Sequence, residues 1–419
     1  MLRHRLGLLT DRDYRALFAC TTVGQLGRQV SELALPLIAV LALSASEFEV
    51  GLLAAMTTMA FLVIGLPAGA WVDRLRRRNV LIVADLARAA LLVTVPLAWW
   101  MDALTMWQLY AVALLMGVFS VFFDVAYQSY LPHLVGREHL VEGNAKLESV
   151  RAVSHIGGPA LGGQLIQALT APIAVLADAV ALAASVLFLV GIRKPEPKPV
   201  RRPDSHLLRE IGEGMRFVTG QPLLRRIVMC TGWHGLCFST FWAMALVFLA
   251  RDLGVSPGVI GLLLSASGVG ALVGAFVARR FAAWVGQGPA IWMSVAFSAP
   301  FSLLLPLAQP GWRLWLAGAG QFVIGAGVVV YNVSQVSFRQ AITPDHLLGR
   351  MNATIRFFVW GTIPIGGILG GVLGELVGAR TTIWIGSIAG CLAFVPVFLS
   401  PLRSMRSLPT GENEPQPVG

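Results

Sequence analysis

Long apolar runs, broken by short clusters of charge, proline and glycine, recur from one end of the chain to the other. The run "VGLLAAMTTMAFLVIGLPA", residues 50–68, carries no charge, and "GAWVDRLRRRN" follows it with Asp73, Arg74, Arg76, Arg77 and Arg78 within six positions. A helix needs about twenty apolar residues to cross a bilayer core, so each run reads as a membrane span. Breaking the chain at the clusters predicts twelve: 14–43, 48–72, 80–100, 105–131, 142–169 and 171–192, then 223–249, 255–278, 289–308, 312–338, 351–378 and 380–400. Between the sixth and the seventh lies a long polar segment, 193–222. Its proline-rich start cannot form a core, and "SHLLREIGEGMRFV" has the helical spacing of a segment lying on the membrane surface. The predicted organisation is an N-terminal six-helix bundle (1–192), a cytoplasmic linker with an amphipathic helix (193–222), a C-terminal six-helix bundle (223–402) and a disordered cytoplasmic tail (403–419).

Composition sharpens this picture. The 419 residues are 56% hydrophobic and 13% charged, against roughly 25% charged in soluble proteins. That excludes a water-soluble surface and makes the chain an all-α, multi-pass membrane protein. The net charge of +10 does not point to nucleic acid, because the basic residues are spread over short loops and form no single basic face. Twenty-four Lys and Arg fall on one set of alternating loops, whereas the opposite set holds Arg251, Arg313 and Arg380. By the positive-inside rule both termini and the linker are cytoplasmic, in a cell inner (plasma) membrane. The N-terminal "MLRHRLGLLTDRDYR" reads as a cytoplasmic lead-in, since the apolar segment after it is too long for a signal-peptide core. Cys20, Cys230, Cys237 and Cys391 form no CxxC pair and read as small buried hydrophobes, with no metal or disulfide framework implied.

The two halves repeat. "FDVAYQSYLP" from Phe123 aligns with "YNVSQVSFRQ" from Tyr331, and "NAKLESVR" from Asn144 with "NATIRFFV" from Asn352, at an offset of 208. "GGPALGG" from Gly157 matches "GGILGG" from Gly366, and "LPAGAWVDR" from Leu66 matches "ALVGAFVAR" from Ala271. Parallel six-span repeats are the arrangement of transporters whose site lies between two bundles at mid-membrane.

Within "GAWVDRLRRR" the arginines hold the loop inside, but an acid adds little to orientation. Gly69 permits close helix approach, so Asp73 can meet a basic partner or a helix N-terminus of the other half and latch one end shut. This stretch resembles the loop 2–3 signature of the major facilitator superfamily. Its second-half counterpart has Ala278 where the first has Asp73. "GPALGG", Gly158 to Gly163, resembles the core of that superfamily's antiporter motif, with Pro159, Gly162 and Gly163 in place and Ser154 as the small residue four before it; Ala145 stands where an upstream glycine is usual. "RDYRALFACTTVGQLG", "GLPAGAWVDRLRRRNVLIVADLARA" and "FFDVAYQSYLPHLVG" are most similar to the bacterial drug:proton antiporter branch that includes macrolide-efflux and enterobactin-exporter proteins. The resemblance implies the two-bundle fold, alternating access and antiport.

Ionisable residues inside a bilayer cost about 2.5–3.5 kcal/mol on insertion scales and mark function. Arg28 and Glu32 lie one helical turn apart in span one, where they form a neutralised pair or face the cavity. Asp124, deep in span four, has no basic neighbour in sequence, and its repeat equivalent Asn332 cannot titrate, so it is the leading proton carrier. Asp178 and the Glu148/Arg151 pair are weaker candidates. Asp85 and Arg88, placed beside the cytoplasmic end of span three, support a gate made by Asp73 and Arg74. Arg356 in span eleven calls for an acidic partner across the pseudo-twofold. The Gly158–Gly163 stretch lets its helix bend or pack closely. Gln25, Tyr127, Gln128, Trp233, His234, Phe238, Trp242, Asn332 and Gln335 are candidate cavity residues.

There is no Walker loop, HExxH or Gly-x-Ser-x-Gly elbow, and "GVGALVGAF" lacks the spacing and preceding strand of a dinucleotide loop. No enzyme activity and no cofactor is expected. The reading that follows is a monomeric secondary exporter in which inward protons, or sodium, drive a small amphiphile (a drug, macrolide, siderophore or related metabolite) outward. Uptake of a polar metabolite, a lipid translocator and a non-transporting sensor are the alternatives.

Overall fold

The structure, a computed structural model, describes residues 7–72, 74–136, 138–196, 207–344 and 347–406. Asp73 therefore lies outside the described residues, as do 197–206 of the linker and 407–419 of the tail. The first half comprises α1 (Arg12–Leu37), α2 (Glu47–Val72), α3 (Arg77–Trp100), α4 (Met106–Val135), α5 (Leu140–Leu169) and α6 (Ala171–Gly191). The linker contributes α7 (Leu207–Gly220). The second half holds α8 (Pro222–Val247), α9 (Pro257–Val285), α10 (Gln287–Ser298), α11 (Leu314–Ala341), α12 (Leu348–Val377), α13 (Ala379–Cys391) and its short continuation α14 (Val395–Phe398).

Among the described residues nine helices are long and apolar enough to cross a membrane. The other three spans of the expected twelve are α1, α5 and α10. The first two carry polar and charged residues along their length, and α10 passes at Ala299–Leu304 into a 3-10 turn, where Pro300 removes a backbone donor. The all-α, two-bundle architecture of twelve spans stands.

Helix ends at the linker end of the molecule, where the first and last described residues and α7 lie, are closed by charged side chains. Asp11 accepts from the Tyr14 N–H at 2.8 Å and caps α1. The Arg77 and Arg78 N–H groups, at the start of α3, donate to the Glu196 carboxylate at 2.9 and 3.2 Å. Arg78 in turn donates to the Leu189 and Val190 carbonyls at the end of α6. Orientation is thus not the sole role of these arginines: Arg78 and Glu196 complete the open hydrogen-bonding ends of two neighbouring spans.

The repeat is visible in backbone detail. Single residues with positive φ, Thr170 (75°) and Gly378 (83°), turn α5 into α6 and α12 into α13. Both α1 and α8 end in a π-turn, Ile38–Ala42 and Phe248–Asp252, closed by Ser44 (φ 49°) and Gly254 (φ 62°). The antiporter-motif glycines follow the same offset of 208. A Cβ at Gly158 would press on Gln29, and one at Gly162 on Val30, both of α1; their counterparts Gly366 and Gly370 press on Leu236 and Thr240 of α8. The register is therefore one residue different from the alignment of Gly157 with Gly366, and Gly158 is the true counterpart.

The linker helix α7 is seated on the linker end of α12: a Cβ at Gly214 would lie 2.8 Å from the Arg350 carbonyl oxygen, Glu213 pairs with Arg350, and Val218 is buried with Leu224, Met351 and Ile355. Residues 403–406, expected to belong to a disordered tail, are instead held by Gln287 and Gly288, which donate to the carbonyls of Arg406 and Met405 at 3.2 and 2.9 Å.

Candidate functional site

The halves meet along two helix pairs, α2 with α12 and α5 with α9, and both pairs touch through glycine. A Cβ at Gly51 would lie 2.4 Å from Gly371 Cα, and one at Gly261 2.1 Å from the Pro159 carbonyl oxygen. Gly163 of the antiporter motif faces Gly261 across this interface, whereas Gly158 and Gly162 face their own half. Ser154 is buried on the same helix. The motif thus packs α5 on two sides at once.

At the end opposite the linker, the halves also exchange polar contacts. Arg251 donates to the Ala45 carbonyl at 2.5 Å and reaches Glu47 at 3.4 Å. Gly258 N–H donates to Gln167 at 3.1 Å. This far end is sealed. Toward the linker end, by contrast, a Cβ at Gly69 would meet nothing within 4 Å, and Arg74 is exposed. The close approach expected of Gly69 is not made in this state, and the Asp73 half of that gate lies outside the described residues.

Between the two ends lies a cavity of about 370 Å³. Its first-half wall includes Arg28, Ser31, Glu32, Arg88, Ser120 and Asp178, and its second-half wall Trp242 and Trp360. Arg28 Nε donates to Glu32 at 2.7 Å, both side chains about half exposed to this space. The two side chains hold each other on the cavity wall. Asp85 and Arg88 do not sit at the edge of span three. Asp85 is eight residues into α3, about 12 Å from its start, and both are buried. They form an ion pair, Ser185 donates to the other Asp85 oxygen at 2.5 Å, and Arg88 lies 4.7 Å above the Phe123 ring.

A second cavity of about 150 Å³ lies on the linker side of the first and is lined by Asp124, Gln128, Phe357 and Arg356 among others. The structure thus places Arg356 of the second half and Asp124 of the first on the wall of one cavity. Phe61 and Trp360 line both cavities and stack across the halves with centroids 4.4 Å apart.

The remaining candidates divide. Trp242 lines the larger cavity, and Phe238 and His234 continue its stripe along α8 through ring contacts at 5.8 and 6.0 Å. Trp233 turns away, donating to the Ala389 carbonyl at 2.8 Å. The Tyr127 hydroxyl accepts from Thr21 at 3.3 Å. Gln335 is buried and donates to Asn332 at 3.4 Å, and Gln25 is half-buried on α1. Glu148 and Arg151 face each other at 3.6 Å, largely exposed. Sequence reasoning missed Phe61, Trp360, Ser31 and Arg251, and gave Asp178 little weight; for Asp178 the signal was present, a carboxylate in the apolar run "VLADAVALAAS".

The chain matches the family model described as transmembrane secretion effector over residues 5–417. It is 30% identical to the multidrug efflux pump Tap of Mycolicibacterium fortuitum, over 93% of this chain and 96% of that protein. With the enterobactin exporter EntS of Escherichia coli O1:K1 / APEC the identity is 25%, over 82% and 81% of the two chains. Among solved structures, a bacterial homologue of the iron transporter ferroportin in an inward-facing state superposes with a TM-score of 0.76 at 14% identity, covering 92% of this chain and 98% of that one. The nucleoside transporter NupG gives 0.72 at 14%, covering 93% and 99%. The chain belongs to the transmembrane secretion effector family of the major facilitator superfamily, whose members are multi-pass membrane transporters and not enzymes.

Proposed function

We propose that this protein is a secondary exporter of small amphiphilic molecules, driven by protons moving the other way through alternating access. The observation that carries the reading is the larger cavity: it sits between the halves and joins aromatic walls, Phe61, Trp242 and Trp360, to a cluster of intramembrane charges. Such a mixture accepts an apolar body while fixing a polar group. The acids within the span interiors belong to the first half, Glu32, Asp85, Asp124 and Asp178 among them, whereas the second-half spans carry Asp252 and Glu375 only at the far end. Proton exchange therefore belongs to the first half, and the second contributes Arg356 as counter-charge and the two tryptophans as apolar wall. The names of Tap and EntS, an efflux pump and an exporter, favour the outward direction. With the arginine-rich loops inside, the linker end is cytoplasmic, and the sealed far end faces out.

The test is flux in proteoliposomes holding purified protein, with an imposed pH gradient and a panel of macrolides and amphiphilic dyes, reading substrate movement and lumenal pH together. The expected outcome is flux that requires and dissipates the gradient and falls at least tenfold in Asp124→Asn, since asparagine keeps the hydrogen bonding and cannot carry a proton. Binding without flux, or movement of labelled lipid in place of dyes, would replace the exporter with a sensor or a lipid translocator.

A further inference from the structure

Three carboxylates stand around the larger cavity, and their oxygens are not equally engaged. Glu32 accepts from Arg28 at 2.7 Å on one oxygen and from Gln29 at 3.3 Å on the other. Asp85, behind the wall, is paired with Arg88 on one oxygen and takes the Ser185 hydroxyl on the other at 2.5 Å. Asp178 is 2% exposed, lines the cavity, and its Oδ1 has no hydrogen-bond partner among the described residues. The Ser31 hydroxyl stands beside the carboxylate as its nearest donor, and Oδ1 remains without a partner. On the α1 side the carboxylate rests against Gly27, where a Cβ would fall 2.6 Å from Oδ1. That glycine makes the room for the carboxylate.

A buried carboxylate without a full set of partners is held as the neutral acid or is matched by a cation. Every charged group facing Asp178 has a prior partner. Arg28 and Glu32 of α1 hold each other, and Arg88 of α3 holds Asp85. On α5 the Glu148–Arg151 pair and His155 lie toward the linker end. Across the cavity stand Trp242, with an unpartnered indole N–H, and Trp360 and Phe61. A carboxylate and aromatic rings on the wall of one cavity are the recognition set for an organic cation, which gains attraction from both.

We propose that Asp178 is the cation-binding residue of the cavity, occupied in turn by a proton and by the positively charged group of an amphiphilic substrate. The substrate class is then the lipophilic cation, with its charge on the first half and its apolar body against the tryptophans of the second. This inference rests on the exporter reading for its biological sense, but it concerns equilibrium binding and is tested apart from flux. The exchange balances: a permanently charged cation enters, the Asp178 carboxyl releases one proton to water, and the charge of the site is unchanged.

The probes are tetraphenylphosphonium and its size-matched anion tetraphenylborate, binding to the full-length protein in lipid nanodiscs in weakly buffered solution with a pH indicator. The expected result is about one proton released per phosphonium bound, and affinity that rises about tenfold per pH unit wherever Asp178 is protonated before binding. Tetraphenylborate should bind at least tenfold more weakly and release nothing. Asp178→Asn should lose the proton release and bring the affinities of the two probes together, while Asp178→Glu retains release. The wild-type measurement stands alone should the asparagine variant not fold. Phosphonium binding without proton release, no phosphonium binding, or release that survives Asp178→Asn and disappears in Asp124→Asn would overturn the assignment. Proton release through Asp178 with no gradient-driven flux would leave the assignment standing and sink the exporter reading. Gradient-driven flux of neutral amphiphiles with Asp178→Asn unchanged in phosphonium binding would do the reverse.

Discussion

Thr170 turns α5 into α6 with φ 75° and ψ 154°, a conformation that glycine adopts freely and other residues hold at about 1–3 kcal/mol. The counterpart turn has Gly378. Thr170→Gly relieves this strain and gives back about 1 kcal/mol through the greater freedom of the unfolded chain, so the variant should melt up to a few degrees higher with transport unchanged. A lower melting temperature would show that the threonine side chain holds the turn. The contrast between this residue and the intramembrane charges shows what a sequence carries. Spans are legible because a bilayer demands length and hydropathy, both of which are recorded along one dimension. Asp124 and Arg356 are each legible as charges in apolar runs, but their sharing of one cavity depends on how α4 and α12 face each other. Arg88 looks like a gate residue from its place early in α3; helix phase instead turns it toward Asp85, Phe123 and the cavity.

At the scale of elements, the far-end seal is built from matching parts of the two repeats with one asymmetric contact. Both first helices of the halves end in π-turns, and Arg251 projects from the second to the Ala45 carbonyl and Glu47 of the first half. Leu41 occupies the comparable place in the first half and makes no such bridge, being half exposed. Arg251 and Glu47 keep about a third and a quarter of their side-chain surface in solvent, 32% and 26%, so their charge-assisted contacts are worth about 1–2 kcal/mol after screening. Arg251→Gln should shift the ratio of far-end-open to far-end-sealed molecules roughly five- to thirtyfold. Spin labels at Asp102 and Trp312, on far-end turns of opposite halves, read this as a growing long-distance population. Gly261→Val should shift the population the same way, since its Cβ would lie 2.1 Å from the Pro159 carbonyl oxygen. Unchanged distances in both variants would mean that the seal resides in the apolar contacts of α2 with α12. The superfamily motifs expose the glycine contacts to a reader of the sequence; Arg251 is hidden among the loop charges, because only the fold places it opposite Ala45.

For the whole molecule, the order of parts along the membrane normal sets what must open for transport. From the linker end a molecule meets Asp124 and Arg356 in the smaller cavity, then the Phe61–Trp360 stack, then the Arg28, Glu32 and Asp178 site, and last the glycine-packed far end. An aromatic pair contributes about 0.5–1.5 kcal/mol beyond its buried area, so thermal motion parts the stack readily, whereas the far end must break the Arg251 contacts and two close helix pairs together. The stack is therefore the weaker constriction, on the linker side, and the far end the stronger one. On the proposed antiport reading, coupling requires that the acids exchange protons with the linker side while the far-end seal holds, because both ends open at once would dissipate the gradient. Replacing the stack removes the inner constriction and joins the two cavities, which leaves Asp124 and the inner site in one space. Phe61→Ala and Trp360→Ala should each raise substrate-free proton leak through proteoliposomes several-fold and lower the number of substrate molecules moved per proton, with Phe61→Tyr close to wild type because it keeps the ring. If either alanine variant slows flux with no added leak, the stack serves as a wall of the binding site and the inner constriction lies nearer the linker end, among Leu62, Gly65 and Phe357 of the smaller cavity.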